Sequence, residues 1–464
     1  MQNYRDLWHA QYKIVPEQLK KSAEINCVAT AFNCNIDAVV KLSGKQISQL
    51  AEQFNLNADE ALNNPTTITC PRDVICGILK CFILGIAEEW LIEDAAVYQW
   101  VSQKIGYDRL QMGGQGGIVA NVAALLGVKN VLTHTASLPN LQAEQFLDLA
   151  NLFGIDADKH IMPARKINRP NDLPLVHQII EFAKDDEIKL GEKTYKCPKA
   201  NRFIATYDKA NMALIVDNGF VQHLNQTGFD YLILSGFHNL TENNNGISRI
   251  NAIVPLINEW KQRFPNGIIH LELASTQDKI IRQAIIEKIA PIADSIGLNE
   301  REALDILEVI DSVKYEKIKT TAINAAVLFE IIQQIKQKTQ TPRIQLHMFG
   351  LYMTLQNKKW RITPEQNRNG MMLAATIAAS KAGLGQLESA EDLLWAHGQK
   401  IGEKSLQELQ ILAQHVDSAT LEITGMASVE EYDLIAVPTI IVPQPKTLVG
   451  MGDTISSVSL IGAL

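Results

Sequence analysis

Apolar runs and helix-spaced apolar positions alternate along most of this chain. Ile25 to Phe32 is a near-continuous apolar run that predicts a buried strand ending at Asn33. Ile118 to Leu126 predicts a helix stopped at Gly127, and Val131 to Thr135 the next strand. Tyr231 to Ser235, Ile268 to Leu273, Ser295 to Leu298, Ile344 to Met348 and Thr439 to Val442 are further strand candidates, the last inside an apolar run from Ile435. Ile281 to Ile289, Ala322 to Ile335 and Met371 to Ala382 carry helical periodicity between them. Such alternation predicts an α/β fold around a mostly parallel central sheet flanked by helices.

Two stretches break the rhythm. Leu42 to Arg109 is long, charged and mostly helical in pattern, and Arg165 to Ala210 holds a proline-containing turn followed by an alternating section. They read as insertions. The expected division is a large discontinuous domain of residues 1–41, 110–164 and 211–464, with 42–109 and 165–210 folding together as a smaller α/β lid. A lid of this kind belongs over the carboxyl edge of the sheet, where open α/β folds bind ligands. The alternative is that the insertions decorate the surface without gating anything.

Composition narrows the class. With 464 residues, 46% of them hydrophobic and 20% charged, the chain can bury a large core and is no disordered polymer. A net charge of -8 without a basic block argues against nucleic acid as a partner. The apolar stretch Val74 to Ile86 is too short to span a bilayer and contains Lys80, so it reads as a core helix and no membrane partner is expected. The six cysteines show no Cys-x-x-Cys pair, which points to reduced thiols and a cytoplasmic location.

The most informative chemistry lies at Lys446-Thr447-Leu448-Val449-Gly450-Met451-Gly452-Asp453-Thr454, with a helix expected to start at Asp453-Thr454. Gly450 and Gly452 let the backbone approach a ligand, and amides at a helix start favour an anion. A carboxylate there repels phosphate, yet suits a base that takes a proton from a hydroxyl while the amides hold a transferring phosphoryl group. Asp-Thr after glycine is equally an ordinary N-cap. Asn33 to Asp37, with Asn35, offers amides and a carboxylate for a polyhydroxyl ligand, or an Asx-rich turn. Met112 to Gly117 includes Gly114 and Gln115, and its glycines imply close approach to either a ligand or the chain itself. Neither a Rossmann fingerprint nor a Walker A motif is present. Asn299 and Glu302, with Glu272, could order water around a magnesium ion, although the first two also form a capping-box pair. His177, Arg202 and His347 are unspecific by themselves.

Taken in order, these segments resemble the ADP-dependent sugar kinases, the phosphofructokinase and glucokinase family of the ribokinase-like fold. The resemblance rests on Asn33 to Ala38, Met112 to Ile118 with Asn121, Asn201 to Ile204 and Leu234 to Phe237. It continues through His270 to Ser275, Gly297 to Glu302 and Thr447 to Thr454. It implies a ribokinase-like large domain with a lid, and transfer of the ADP β-phosphoryl group to a hexose or hexose phosphate, giving AMP. It implies Asp453 as base, Gly450 and Gly452 as anion hole and Arg202 near the transferring phosphate. Asn35, Asp37, Gly114, Gln115 and His177 would form the sugar pocket. Glu272, Asn299 and Glu302 would organise Mg²⁺ or another divalent cation, and His347, Val442 and Gly452 would lie on the nucleotide side. The chain departs from the family pattern at His238-Asn239, at Met348, at the leucines flanking Glu272 and in a short final helix.

Cys70 stands in the first lid segment, where glucose-specific members tend to place a carboxylate. Arg165, Lys166 and Arg169 form a basic cluster suited to a sugar 6-phosphate. Both tilt the expectation slightly towards fructose 6-phosphate over glucose. Alternatives are an ATP-dependent ribokinase-type kinase and a catalytically silent sugar- or nucleotide-binding homologue. The oligomeric state stays open, with a monomer slightly favoured.

Overall fold

A computed structural model describes residues 2–64, 66–276, 278–447 and 449–464; Leu448 of the C-terminal glycine segment lies outside the described residues. Two sheets organise the chain. The larger has eleven strands. At its centre Cys27–Ala31 pairs in parallel with Tyr231–Leu234 on one side and Asn130–Thr133 on the other. Parallel pairing continues through Ile268–Glu272, Ser295–Asn299 and Arg343–Met348, and on the other flank to Leu152–Ile155. Strands covered on both faces need apolar residues at successive positions, so Tyr231–Leu234 is buried throughout. Antiparallel strands close the edges: Leu351–Asn357, Tyr432–Pro438 and Met426–Val429 at one end, Ile161–Pro163 at the other.

The expected strand at Thr439 to Val442 is displaced. The strand is Tyr432–Pro438, and beyond it Ile440 makes only an isolated bridge to Ile401. The Thr439 amide makes one last bond in register, to the Gly350 carbonyl, and Ile440 is buried without ladder pairing. An apolar run records burial, and burial continues here after the strand has ended.

The smaller sheet has six strands in the order Thr67–Ile68, Glu88–Ile92, Asn201–Tyr207, Val176–Phe182, Asn35–Lys41 and Arg109–Gly113. Strands from both inserted stretches therefore share one sheet. Asn35–Lys41 joins them, pairing with Val176–Phe182 and Arg109–Gly113, although the sequence boundaries assigned residues 35–41 to the larger unit. This sheet has its own core of Ile47, Phe82, Trp90 and Phe203, separate from the main one. Gly77 allows the Pro71–Leu84 helix to lie against the Phe203 ring. Among the described residues no helix is long and apolar enough to cross a membrane, and all six cysteines are free.

One helix pair matters most for the site. Pro364–Leu384 lies along the C-terminal helix Met451–Ile461. Gly370 makes this approach possible, because a Cβ there would overlap the Ser459 carbonyl oxygen and come 2.8 Å from the Ala463 nitrogen. Backbone atoms cannot swing aside as a flexible side chain can. Gly370→Ala is therefore expected to destabilise the fold by about 1–3 kcal/mol despite alanine's better helix propensity. Chemical denaturation checks this, and an unchanged midpoint would contradict the close packing.

Candidate functional site

The two sheets face each other across a cleft of about 290 Å³ at the carboxyl ends of the parallel strands. The smaller sheet contributes Asn35, Asp37, Glu89, His177 and Arg202, and the larger unit contributes Gln115, Glu272, Asn299, Glu302, His347 and the Gly450–Asp453 loop. Gly114 lies between the two sets, at the junction of a smaller-sheet strand and the helix Gln115–Leu125. Of the catalytic, sugar-pocket, metal and nucleotide-side residues named from the sequence, Val442 is absent from the lining; it packs half-buried against the main core.

The glycine run after Met112 serves the chain first. A Cβ at Gly113 would overlap the side chains of Asp37 and Asn35, and one at Gly114 would lie 2.7 Å from both the Asn33 carbonyl and Asn35 Oδ1. Gly114 also has φ +72, which favours glycine. These contacts press Asn35 and Asp37 into the cleft wall. Asn35 donates to Asp37 at 3.0 Å, and its own buried Oδ1 has no hydrogen-bond partner among the described residues. An orphaned buried acceptor beside a carboxylate matches a ligand that donates from neighbouring hydroxyls.

Charge in this half of the cleft is partly balanced. Burial pushes Asp37 up to about 6, against the opposing pull of His177, Asn35 and Arg202. Burial alone would push His177 down. Its hydrogen bond to Asp208 at 3.2 Å and the charges of Glu89, Asp208 and Asp37 raise it instead to about 9, so it is a cation at neutral pH. Glu89 accepts from Thr206 Oγ1 at 2.6 Å and lies 3.8 Å from His177 Nδ1. The Arg202 guanidinium has no hydrogen-bond or ion-pair partner among the described residues, which leaves its donors for an anion.

The other half concentrates negative charge. Burial raises Glu272 well above its ordinary value, and Asp453 and Glu302 add to the effect. Burial likewise pushes Glu302 up to about 8, opposed by the Asn299 amide. Asn299 and Glu302 form the capping box at the start of Glu300–Ile310, with Glu302 Oε2 accepting from the Asn299 amide at 2.8 Å. Glu302 thus caps the helix and still lines the cleft, so capping does not take it out of the site. His270, kept neutral by burial, contacts Glu272 at 3.0 Å. Neighbouring carboxylates that raise one another fit a divalent cation. Among the described residues these acids do not close into a three-ligand cage, which suits a metal held largely through water.

Gly450 takes the left-handed conformation, with φ +62, and caps the helix Met451–Ile461, which starts two residues before the expected Asp453. Gly452 packs on the His347 ring, where a Cβ would stand 2.8 Å from Nε2. Burial raises Asp453 above its ordinary value, while Lys381 and a hydrogen bond from Gln115 oppose the rise. The motif thus places three features at one point: helix-start amides, a carboxylate with raised basicity and a flat imidazole wall.

This arrangement has close relatives. The chain matches the conserved region of the ADP-specific phosphofructokinase/glucokinase family over residues 26–462. The chain belongs to that family. It is similar to the ADP-specific phosphofructokinase of Methanosarcina acetivorans, at 28% identity covering 94% of this chain and 92% of the relative. Its similarity to the ADP-dependent glucose/glucosamine kinase of Pyrococcus abyssi is 29%, covering 98% of each. Among solved structures, an ADP-dependent kinase in complex with fructose 6-phosphate and ADPβS superposes with a TM-score of 0.83 at 26% identity, covering 98% of this chain and 97% of the other. The ribokinase-like α/β architecture expected from the sequence is the family's own.

Two expectations behind the acceptor choice need correction. Arg169 is buried and structural: it donates to Asp217 at 2.8 Å and to the Ile155 carbonyl. Arg165 donates to the carbonyls of Glu144 and Phe146, and no member of the cluster lines the cleft. Cys70 caps the helix Pro71–Leu84, whereas the carboxylate that reaches the cleft from this segment is Glu89, one strand later. In sequence Glu89 is one of two adjacent glutamates. Its half-buried neighbour Glu88 points the other way, paired with Lys80 at 3.0 Å, and only strand register distinguishes them.

Glu302 yields a pH test. Its folded pKa is raised, so its contribution to stability is fully present below the unfolded value near 4.5 and is lost as pH rises through about 8. In divalent-free buffer Glu302→Gln should therefore be more stable than the parent at pH 8–9, by about 1–2 kcal/mol, and nearly equal at pH 5. Added Mg²⁺ should narrow the gap. Thermal melts across pH check this, and a pH-independent difference would contradict it.

Proposed function

We propose that this protein transfers the β-phosphoryl group of ADP to a hydroxyl of a hexose or hexose phosphate and releases AMP. The observation that carries the reading is Asp453: a carboxylate of raised pKa set in helix-start amides, opposite a wall of sugar-binding chemistry. In the step, the acceptor hydroxyl oxygen bonds to the β-phosphorus as the bond from that phosphorus to the bridging oxygen breaks. The electron pair leaves with AMP, and the hydroxyl proton passes to Asp453. Amides of the Gly450–Asp453 loop and the unpartnered Arg202 guanidinium stabilise charge on the transferring group. Asn35, Asp37, Gly114, Gln115 and His177 orient the acceptor. His347 and Gly452 form the nucleotide side. Val442 stays a nucleotide-side candidate on the resemblance alone.

Glu272, Asn299 and Glu302 would hold Mg²⁺ or another divalent cation through water, and the bound ion would neutralise phosphate charge. The smaller sheet acts as a lid, because water at the cleft would divert phosphoryl transfer into hydrolysis of ADP. We also infer a cytoplasmic enzyme from the unpaired cysteines, with the oligomeric state open and a monomer slightly favoured.

Fructose 6-phosphate is slightly favoured as acceptor, since the matched kinase complex holds it and the Methanosarcina relative is named for it. Glucose is the second reading, and Glu89 favours it: a carboxylate accepts from a sugar hydroxyl and repels a phosphate. ATP-dependent transfer and silent binding are separated by donor and turnover.

Asp453→Asn should retain ADP and sugar binding and lose turnover by roughly a hundredfold or more. AMP formation from Mg-ADP with each acceptor, beside parallel ATP reactions, measures this. Near-normal turnover in the variant would reject Asp453 as base, and wild-type transfer from ATP alone would reject ADP as donor.

A further inference from the structure

Lys381 joins the end of one helix to the start of another. It sits in the last turn of the Pro364–Leu384 helix, and its ammonium reaches the N-terminal end of Met451–Ile461. The last turn of its own helix favours a cation, whereas the helix start that the ammonium meets carries partial positive charge and favours anions. It is partly buried and forms no contact ion pair among the described residues. Burial pulls it down to about 8, with Asp453 first and then Asp37 opposing the fall.

Its bonds are aimed at one feature. Nζ donates to the Gly450 carbonyl at 3.1 Å and to Thr454 Oγ1 at 3.2 Å. The same carbonyl accepts from Thr454 Oγ1 at 2.8 Å and from the Thr454 amide at 3.2 Å. Three donors thus converge on the carbonyl of the left-handed residue that turns the chain into the helix. Packing is equally close: a Cβ on Gly450 would stand 2.9 Å from Nζ. The peptide that follows this carbonyl carries the first of the amides facing the cleft, so its orientation sets theirs.

We propose that Lys381 is a positioning residue for phosphoryl transfer. It holds the Gly450 carbonyl from behind, which fixes the direction in which the Met451, Gly452 and Asp453 amides meet the transferring group. Its charge offsets the negative charge gathered at Asp453 and the phosphoryl oxygens. This rests on the proposed function, and adds a cation outside the cleft lining to its machinery.

A second cavity makes the role testable. About 450 Å³ opens on the far side of the loop, lined by Lys381 together with Met112, Ile118, Asn121, Arg165 and Val449. A small amine can enter there when the lysine is shortened. Lys381→Met should lower kcat about ten- to a hundredfold while the KM values for ADP and sugar stay within about threefold, since a group acting on the transition state leaves ground-state binding alone. Lys381→Ala, purified in methylammonium, should lose turnover when the amine is removed and regain it on addition. A kcat within about threefold of wild type in Lys381→Met, or a Lys381→Ala protein indifferent to the amine, would overturn the proposal. Failure of the wild-type protein to form AMP would instead reject the proposed function, so the two failures are distinguishable.

Discussion

Carboxylates crowded into one partly dry cleft are the constraint on which the rest depends. Burial raises Glu272, Glu302, Asp453 and, across the gap, Asp37; Asp453 adds to the rise of both glutamates, and Glu302 to that of Glu272. Such an arrangement is costly in an empty protein and needs scaffolding that does not relax. The scaffolding is visible. Glu302 is held in a capping box and Glu272 by His270, while Asp453 is fixed in the first turn of a helix clamped through Gly370. Folding strength elsewhere, in the long parallel sheet and its apolar core, sustains this local repulsion.

Cations answer the carboxylates from three directions. His177 sits on the smaller sheet, made cationic by Asp208 and Glu89. Arg202 projects from a neighbouring strand, its guanidinium without a partner among the described residues, and Lys381 stands behind the glycine loop. None of the three forms a tight ion pair with Asp453 among the described residues. A contact pair would satisfy the carboxylate and quench it as a base; charge held at a distance tunes it and leaves its oxygens free.

Much of this was legible in the chain. The parallel strands announced themselves because burial on both faces demands apolar residues at successive positions, as in Tyr231–Leu234. Strand-end motifs carrying Asn35, Asp37, Glu272, Asn299 and Asp453 were legible because their residue types are wasteful outside a polar site. Thr439 to Val442 misled because apolar character outlasts ladder pairing. Arg169 misled because a cationic side chain looks the same in sequence whether it meets a phosphate or Asp217. Glu89 and Lys381 were silent, since strand register and the meeting of two distant helices decide their roles, and neither leaves a local pattern.

Only three residues separate Ala31, the end of a strand in the large sheet, from Asn35, the start of a strand in the small one. That short passage divides the labour of the site. On the proposed function, groups that read the acceptor hang mostly from the smaller sheet, and those that handle the phosphoryl chemistry hang from the larger, except for Arg202, which reaches over from the smaller. Acceptor preference can therefore drift by substitution at Glu89 or its strand neighbours while the transfer apparatus stays intact. The architecture is modular in evolution, and relatives that share one donor chemistry yet differ in sugar are what such a partition permits.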